Sequence, residues 1–199
     1  LALRDLREQG VEPEALLSLM ARLGSSQPVE LRMSLEEIAD GFDLSQFGSA
    51  PTKFDHEDLF PLTARKLHGL DATAVKADLD ALGVPADKAE AFWTVARENI
   101  ITRRDIAKWW DLCANGAEPM IADEDAEFIS EAMALLPDGP LGPDAWSTWT
   151  SAVKEATGRK GKGLFMPLRK ALTGQERGPE MADLLPLLQT IPARKLAKA

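Results

Sequence analysis

Apolar residues recur at helical spacing in almost every segment of this chain. Residues 13–24 place Leu16, Leu17, Leu19, Met20 and Leu23 on one side, with Pro13 near the first turn and Gly24 at the end, and so predict a helix. Ser34-Leu-Glu-Glu37 reads as a capping box that opens a short helix to about Gly41. Residues 42–52, with Gly48, Ser49 and Pro51, predict a loop. Asp55 predicts the cap of a helix running through Leu67, which Pro61 is expected to bend or interrupt.

Further along, residues 71–82 and 85–99 predict a helical hairpin joined at Gly83. Thr102-Arg-Arg-Asp105 predicts a second capping box, ahead of a helix that carries Trp109, Trp110 and Cys113 and ends at Asn115-Gly116. Residues 123–136 predict a helix whose apolar side is Phe128, Met133, Leu135 and Leu136, stopped by Pro137-Asp-Gly-Pro140. In residues 143–156, Trp146, Trp149 and Val153 stand at i, i+3 and i+7 on one face. Helices over 163–172 and 180–188 close the chain. Strand-like alternation is nearly absent and Val and Ile are sparse, so the expected fold is all-α. No repeat of fixed period and no low-complexity linker divides it. The candidate boundaries are the loop near 48–54 and Asn115-Gly116.

Composition narrows the class. A chain of 199 residues with 45% hydrophobic content is not disordered and can hold one large or two small cores. No apolar run approaches the roughly 18 residues of a membrane span. Residues 1–8 carry four charges where a secretory leader would turn apolar. The lone Cys113 excludes a disulfide framework and fits a reducing compartment, so a cytoplasmic location is expected. A first residue of Leu rather than Met hints at a fragment or a processed chain.

The net charge of −9 argues against a generic nucleic-acid binder, yet the charge is polarised. From Thr150 onward there are ten Lys/Arg (154, 159, 160, 162, 169, 170, 177, 194, 195, 198) against four acids, about +6. Residues 1–149 then carry about −15. A basic tail on an acidic body suits a phosphate-bearing partner, although solvated lysines account for many such tails.

Catalytic chemistry has little support. His56, His68 and one cysteine offer no metal-ligand spacing. The run Asp123-Glu-Asp-Ala-Glu127 lacks the glycine and the final glutamate of a calcium loop, and reads as carboxylates on the first turn of a helix. The turn Gly158-Arg-Lys-Gly-Lys-Gly163 is followed by Leu164, where a P-loop needs Lys and Ser/Thr; a dinucleotide fingerprint fails at Met166. What remains is a basic glycine-rich turn at a helix start, suited to backbone phosphate or simply solvated. The tryptophans at 93, 109, 110, 146 and 149 could stack on splayed bases, but their helical spacing reads first as core.

The stretch Gly163-x-x-Met166-Pro167-Leu168-Arg169-Lys170-Ala171-Leu172-Thr173-Gly174, followed by Gly178-Pro179, resembles the C-terminal anticodon-binding region of bacterial-type glutamyl-tRNA synthetases. Residues 6–24 are similar to the segment that follows that family's ATP-site lysine loop, 47–55 to the hand-over from the stem-contact region, and 97–106 to the first anticodon-binding subdomain. Neither an H-I-G-H-like tetrapeptide nor a K-x-S-K loop is present. The resemblance therefore implies the C-terminal half of such a synthetase: a stem-contact segment over 1–54 and helical anticodon-binding subdomains over 55–114 and 115–199. Its share of the reaction would be gripping tRNA, in an enzyme expected to be monomeric, with ATP and Mg held by a catalytic domain outside this chain. On its own the chain is expected to be inactive.

Carried over residue by residue, the implied tRNA contacts are Asn99, Arg103, Arg104, Arg159, Lys160, Lys162, Arg169, Gly178, Pro179 and Met181. The family's arginine at the third anticodon base falls on Asn99 here. That departure leaves open an enzyme that accepts the tRNA for glutamine as well as that for glutamate. The competing readings are a free-standing all-α interaction module with a solvated basic loop, and a small independent enzyme, for which no acid, base or nucleophile constellation exists.

Overall fold

The structure, a computed structural model, describes residues 2–197; Leu1, Lys198 and Ala199 lie outside the described residues, and Lys198 is one of the ten cations counted above. Eleven α-helices occur among the described residues: α1 (Leu3–Gln9), α2 (Pro13–Met20), α3 (Leu35–Asp40), α4 (Leu59–His68), α5 (Lys76–Ala81), α6 (Ala89–Ala96), α7 (Arg104–Asn115), α8 (Ala126–Ala134), α9 (Ala145–Thr157), α10 (Lys162–Thr173) and α11 (Met181–Leu184). The only β pairing among them is an isolated bridge between Ser25 and Phe47. The expected all-α class holds. Two compact units are formed, one from residues up to Asp78 with Ile100–Ile106, the other from Leu79–Asn99 with the chain from Ala107 onward.

In the first unit, Leu6, Ala15, Leu19, Leu59 and Leu62 form a core walled by Val11, Leu16, Leu31 and Phe54. Helix α1 has no counterpart among the sequence expectations. Its first turn is closed by the Asp5 carboxylate, which accepts from the Ala2 N–H at 2.8 Å, and Leu6 is its one buried side chain. Ser34 caps α3 as expected, accepting from the Glu37 N–H at 3.2 Å. Asp55 caps a 3₁₀ turn (His56–Asp58) rather than α4 itself. Pro61 neither bends nor interrupts α4, because it is the third residue, where the N–H has no intrahelical partner to lose.

Beside that core lies an ion network. The buried Glu12 carboxylate accepts from Arg103 Nε at 2.7 Å and pairs with Lys66 Nζ at 2.8 Å. Lys66 also pairs with Glu14, and Arg103 Nη1 reaches Asp78 at 2.5 Å. Burial alone would raise the Glu12 pKa, but hydrogen bonds and charge from Arg103 and Lys66 outweigh it and hold the carboxyl below its ordinary value. The Glu12 N–H donates to the buried Thr63 hydroxyl at 3.2 Å, which fixes the start of α2 on α4.

In the second unit, α8, α9 and α10 pack against one another, and α11 packs on α6 and α9. Trp149 is buried on α9 with its indole N–H donating to the Ala132 carbonyl at 2.8 Å, so its one polar group is satisfied inside the core. Phe92 and Trp110 meet edge to face at 5.2 Å. Leu135, expected on the apolar side of α8, is exposed; α8 ends one residue before it, and Ile129 and Ala132 fill the buried face instead. The helix expected over 180–188 divides into α11 and a 3₁₀ turn (Leu185–Leu187), since Pro186 lacks the N–H to continue it. Cys113 is buried and its thiol is pushed up to about 12 by that burial, against a small opposing pull from Lys88, so it is an inert core residue.

Candidate nucleic-acid interface

Helix α10 organises the site. Gly158 ends α9 in the left-handed conformation, and Gly161, at φ 53° and ψ −137°, caps α10 in a region that L side chains rarely adopt. Two glycines thus turn the chain within four residues. Lys160 and Lys162 project from this turn and are exposed.

Arg159, expected among the nucleic-acid contacts, is otherwise engaged. Its Nη1 pairs with Asp125 at 2.5 Å and its guanidinium lies 4.1 Å from the centre of the Phe128 ring. The same Nη1 donates to the Gly163 carbonyl at 3.3 Å. Pro167 sits inside α10 and has no N–H for the carbonyl four residues before it, which is that of Gly163. Arg159 therefore supplies the hydrogen bond that the proline removes. Asp125, read from sequence as a first-turn carboxylate, is the partner that holds it there.

Arg103 is likewise committed, to Glu12 and Asp78 in the ion network of the first unit. Burial alone would weaken its hold on the proton, but hydrogen bonds and charge from the two carboxylates outweigh that and raise its pKa. Arg104 is exposed at the start of α7. Pro179 and Met181, which follow Gly178, are both buried, and Met181 is the first residue of α11. Asn99 is half-buried at the end of a 3₁₀ turn (Arg97–Asn99), and its Nδ2 donates to the Val95 carbonyl at 3.1 Å. The amide cannot flip freely, as an exposed asparagine would.

Within the second unit, Asn99, Arg169 and Gly178 are brought to one place by a residue that sequence reasoning put in the core. Trp109 is half-buried, and its Nε1 donates to the Asn99 carbonyl at 3.1 Å. Gly178 stands at φ 149°, and a Cβ there would lie 2.8 Å from Trp109 Cη2 and 3.6 Å from Arg169 Nη1. An open cleft of about 310 Å³ adjoins them, lined by Trp146, Phe165, Arg169, Glu180 and Met181. The rings of Trp146 and Phe165 are 6.1 Å apart, and Phe165 is 45% exposed. Arg169 Nη1 is buried with no hydrogen-bond partner in the protein. A buried guanidinium nitrogen left unpaired is costly unless a ligand completes it. Aromatic faces can stack a planar heterocycle while an unpaired guanidinium nitrogen beside them donates to its polar edge.

A stacking face and a free donor side by side are the features with which modules read unpaired bases. The family model for the anticodon binding domain matches residues 86–190, more than half of the chain, and the chain belongs to that family. Its relatives agree. Glutamate–tRNA ligase 2 of Ruegeria sp. (strain TM1040) is 69% identical over 98% of this chain and 44% of its own length. Glutamate–tRNA ligase 1 of Ruegeria pomeroyi gives the same figures, and glutamate–tRNA ligase 1 of Roseobacter denitrificans is 65% identical over 98% of this chain and 44% of its own length. The chain spans less than half the length of these curated relatives and aligns with their C-terminal, anticodon-binding part. A glutamate-tRNA synthetase structure from Elizabethkingia anophelis shares the fold at TM-score 0.69 and 23% identity, over 96% of this chain and 40% of that one. The glutamate tRNA ligase of Elizabethkingia meningosepticum, solved with its amino acid, gives 0.71 and 23% over 96% and 41%. The free-standing interaction module is not favoured by these matches.

Proposed function

We propose that this chain is the tRNA-gripping portion of a cytoplasmic, monomeric glutamate–tRNA ligase, with residues 1–54 meeting the tRNA stem and 55–114 and 115–199 its anticodon. The observation that carries the reading is the unpaired Arg169 Nη1 beside the Trp146–Phe165 cleft. Arg169 donates to a base edge there, Phe165 offers a stacking face, and Lys160 and Lys162 meet backbone phosphates. ATP and magnesium belong, in this reading, to the part of the ligase outside this chain. No group of three His, Cys, Asp or Glu side chains converges among the described residues, and none of them is assigned a part in holding either. No helix among them is long and apolar enough to cross a membrane.

The salt dependence of binding to a glutamate-type tRNA transcript tests this function. Affinity should fall steeply with salt, and Lys160→Ala with Lys162→Ala should flatten the log–log slope by about 0.7 to 0.9 for each phosphate no longer neutralised. An unchanged slope in the double variant would show that the turn is only solvated. Lack of binding at low salt by the unaltered chain would overturn the reading itself.

Specificity at the third anticodon base is a finer proposal. Glutamate and glutamine anticodons differ there as C against G. With Nδ2 engaged by Val95, Asn99 offers Oδ1, an acceptor. Cytosine can meet it with its exocyclic amino group and guanine with its N1–H or amino group, so an acceptor alone separates them poorly. Two transcripts differing only at this base should bind within about tenfold of each other, well short of a good bidentate contact. A ratio above about thirtyfold, roughly 2 kcal/mol, would refute tolerance at this position.

A further inference from the structure

We propose that Trp109 is a positioning residue that holds the two base-reading elements of the second unit at a fixed separation, so that anticodon selectivity depends on its indole; the proposal rests on the anticodon-binding reading above. Three observations carry it. The indole N–H donates to the backbone carbonyl of Asn99, the end of the turn that would meet the third base. The opposite, benzo edge of the same ring lies against Gly178, so closely that a Cβ there would stand 2.8 Å from Cη2. That same built Cβ would be 3.6 Å from Arg169 Nη1, the nitrogen left without a protein partner.

A core tryptophan would be enclosed, as Trp93 and Trp149 are at 1% exposure; Trp109 is only half-buried. Adjacent residues on a helix point about 100° apart, so Trp110, which packs on Phe92, and Trp109 serve different surroundings. An indole is rigid, with only two side-chain torsions, and here both ends are fixed, one by a hydrogen bond and one by contact with a residue that has no side chain. The positive φ of Gly178 and the missing Cβ are both needed for that contact. Moving the ring therefore moves the carbonyl of Asn99, the 178 turn and the space around Arg169 together. Base readers must keep their geometry to within a fraction of an ångström to hold selectivity, and one ring sets theirs.

The test compares binding of a glutamate-type tRNA transcript with the same transcript carrying three replaced anticodon bases, for the chain and for Trp109→Phe and Gly178→Ala. Phenylalanine keeps an aromatic ring but has no N–H; alanine pushes the ring from its other edge. Expected is a fall of about tenfold in the ratio of the two affinities in each variant, the size of effect that follows from removing one placed hydrogen bond. In Trp109→Phe, binding of the replaced transcript and its salt slope should be unchanged, because phosphate contacts do not depend on the ring. An unchanged ratio in both variants overturns the proposal. So does equal weakening of both transcripts, which would mark Trp109 as structural only. If Trp109→Phe does not fold, Gly178→Ala decides alone. If the unaltered chain binds tRNA but does not distinguish the two transcripts, the anticodon reading fails first, and the proposal with it.

Discussion

Replacing Glu12 with glutamine is expected to cost about 3 kcal/mol of folding stability at neutral pH, the low end of what breaking a buried ion pair costs. The Glu12 side chain is 8% exposed and its carboxylate faces two cations, Arg103 and Lys66. Glutamine preserves its shape but leaves both cations short of one negative charge, and its amide nitrogen presents a donor where an acceptor is needed. The cost stays at the low end because Arg103 keeps Asp78 and Lys66 keeps Glu14. The same carboxyl gives the stability a pH signature. Its folded pKa is depressed, so its contribution is fully present above the ordinary value of 4.5 and is lost as pH falls through the lower folded value. Urea unfolding followed by tryptophan fluorescence, at pH 7 and in steps from pH 5 to 3, reads both effects. The unaltered chain should weaken steeply below about pH 4.5, and Glu12→Gln should weaken less over that interval. Equal acid slopes, or a cost under about 0.5 kcal/mol at pH 7, would show the network to be incidental.

That network marks where sequence reading reaches its limit. The Thr102-Arg-Arg-Asp105 motif identified a helix start, and the Asp105 carboxylate does accept from the Thr102 N–H at 2.9 Å. Helix starts are legible because a cap and its partner are three residues apart. Arg103, read as a tRNA contact, is bonded to Glu12, 91 residues away, and nothing local announces a pairing at that distance. Trp109 is a different case. Two adjacent tryptophans on a helix cannot both face one core, so Trp109-Trp110 carried a signal that one of them serves another surface. The burial of Pro179 and Met181 was not legible, because a Gly-Pro turn reads alike whether it lies on the surface or folds inward. Arg169 was singled out from sequence, and its unpaired, buried nitrogen is what the structure adds. Arg159 was also singled out from sequence, and what the structure adds is its neighbourhood: Pro167, eight positions on, leaves the Gly163 carbonyl that Arg159 meets.

Replacing Arg159 with alanine is therefore expected to lower stability by about 2 kcal/mol and to leave the salt dependence of tRNA binding unchanged. The cost combines three things: the ion pair to Asp125, in which both side chains are largely shielded, the stack on Phe128, and the bond to the Gly163 carbonyl. A charge-assisted hydrogen bond and a partly desolvated cation–π contact are each worth about 1 to 2 kcal/mol, less what relaxation recovers. Lysine in its place should restore less than half, since an ammonium cannot stack flat on the ring while reaching two acceptors. The proline link has its own readout. Pro167→Ala returns an N–H to α10, and it should stabilise the Arg159→Ala chain by about 1 kcal/mol more than it stabilises the unaltered one, because only there does the Gly163 carbonyl lack a donor. Urea unfolding of the four chains gives that coupling directly. Additive effects would separate the arginine from the proline. A stable Arg159→Ala chain whose log–log salt slope for tRNA binding fell by about 0.7 to 0.9 would return this guanidinium to the phosphate backbone, and Asp125 would then be its resting partner rather than its purpose.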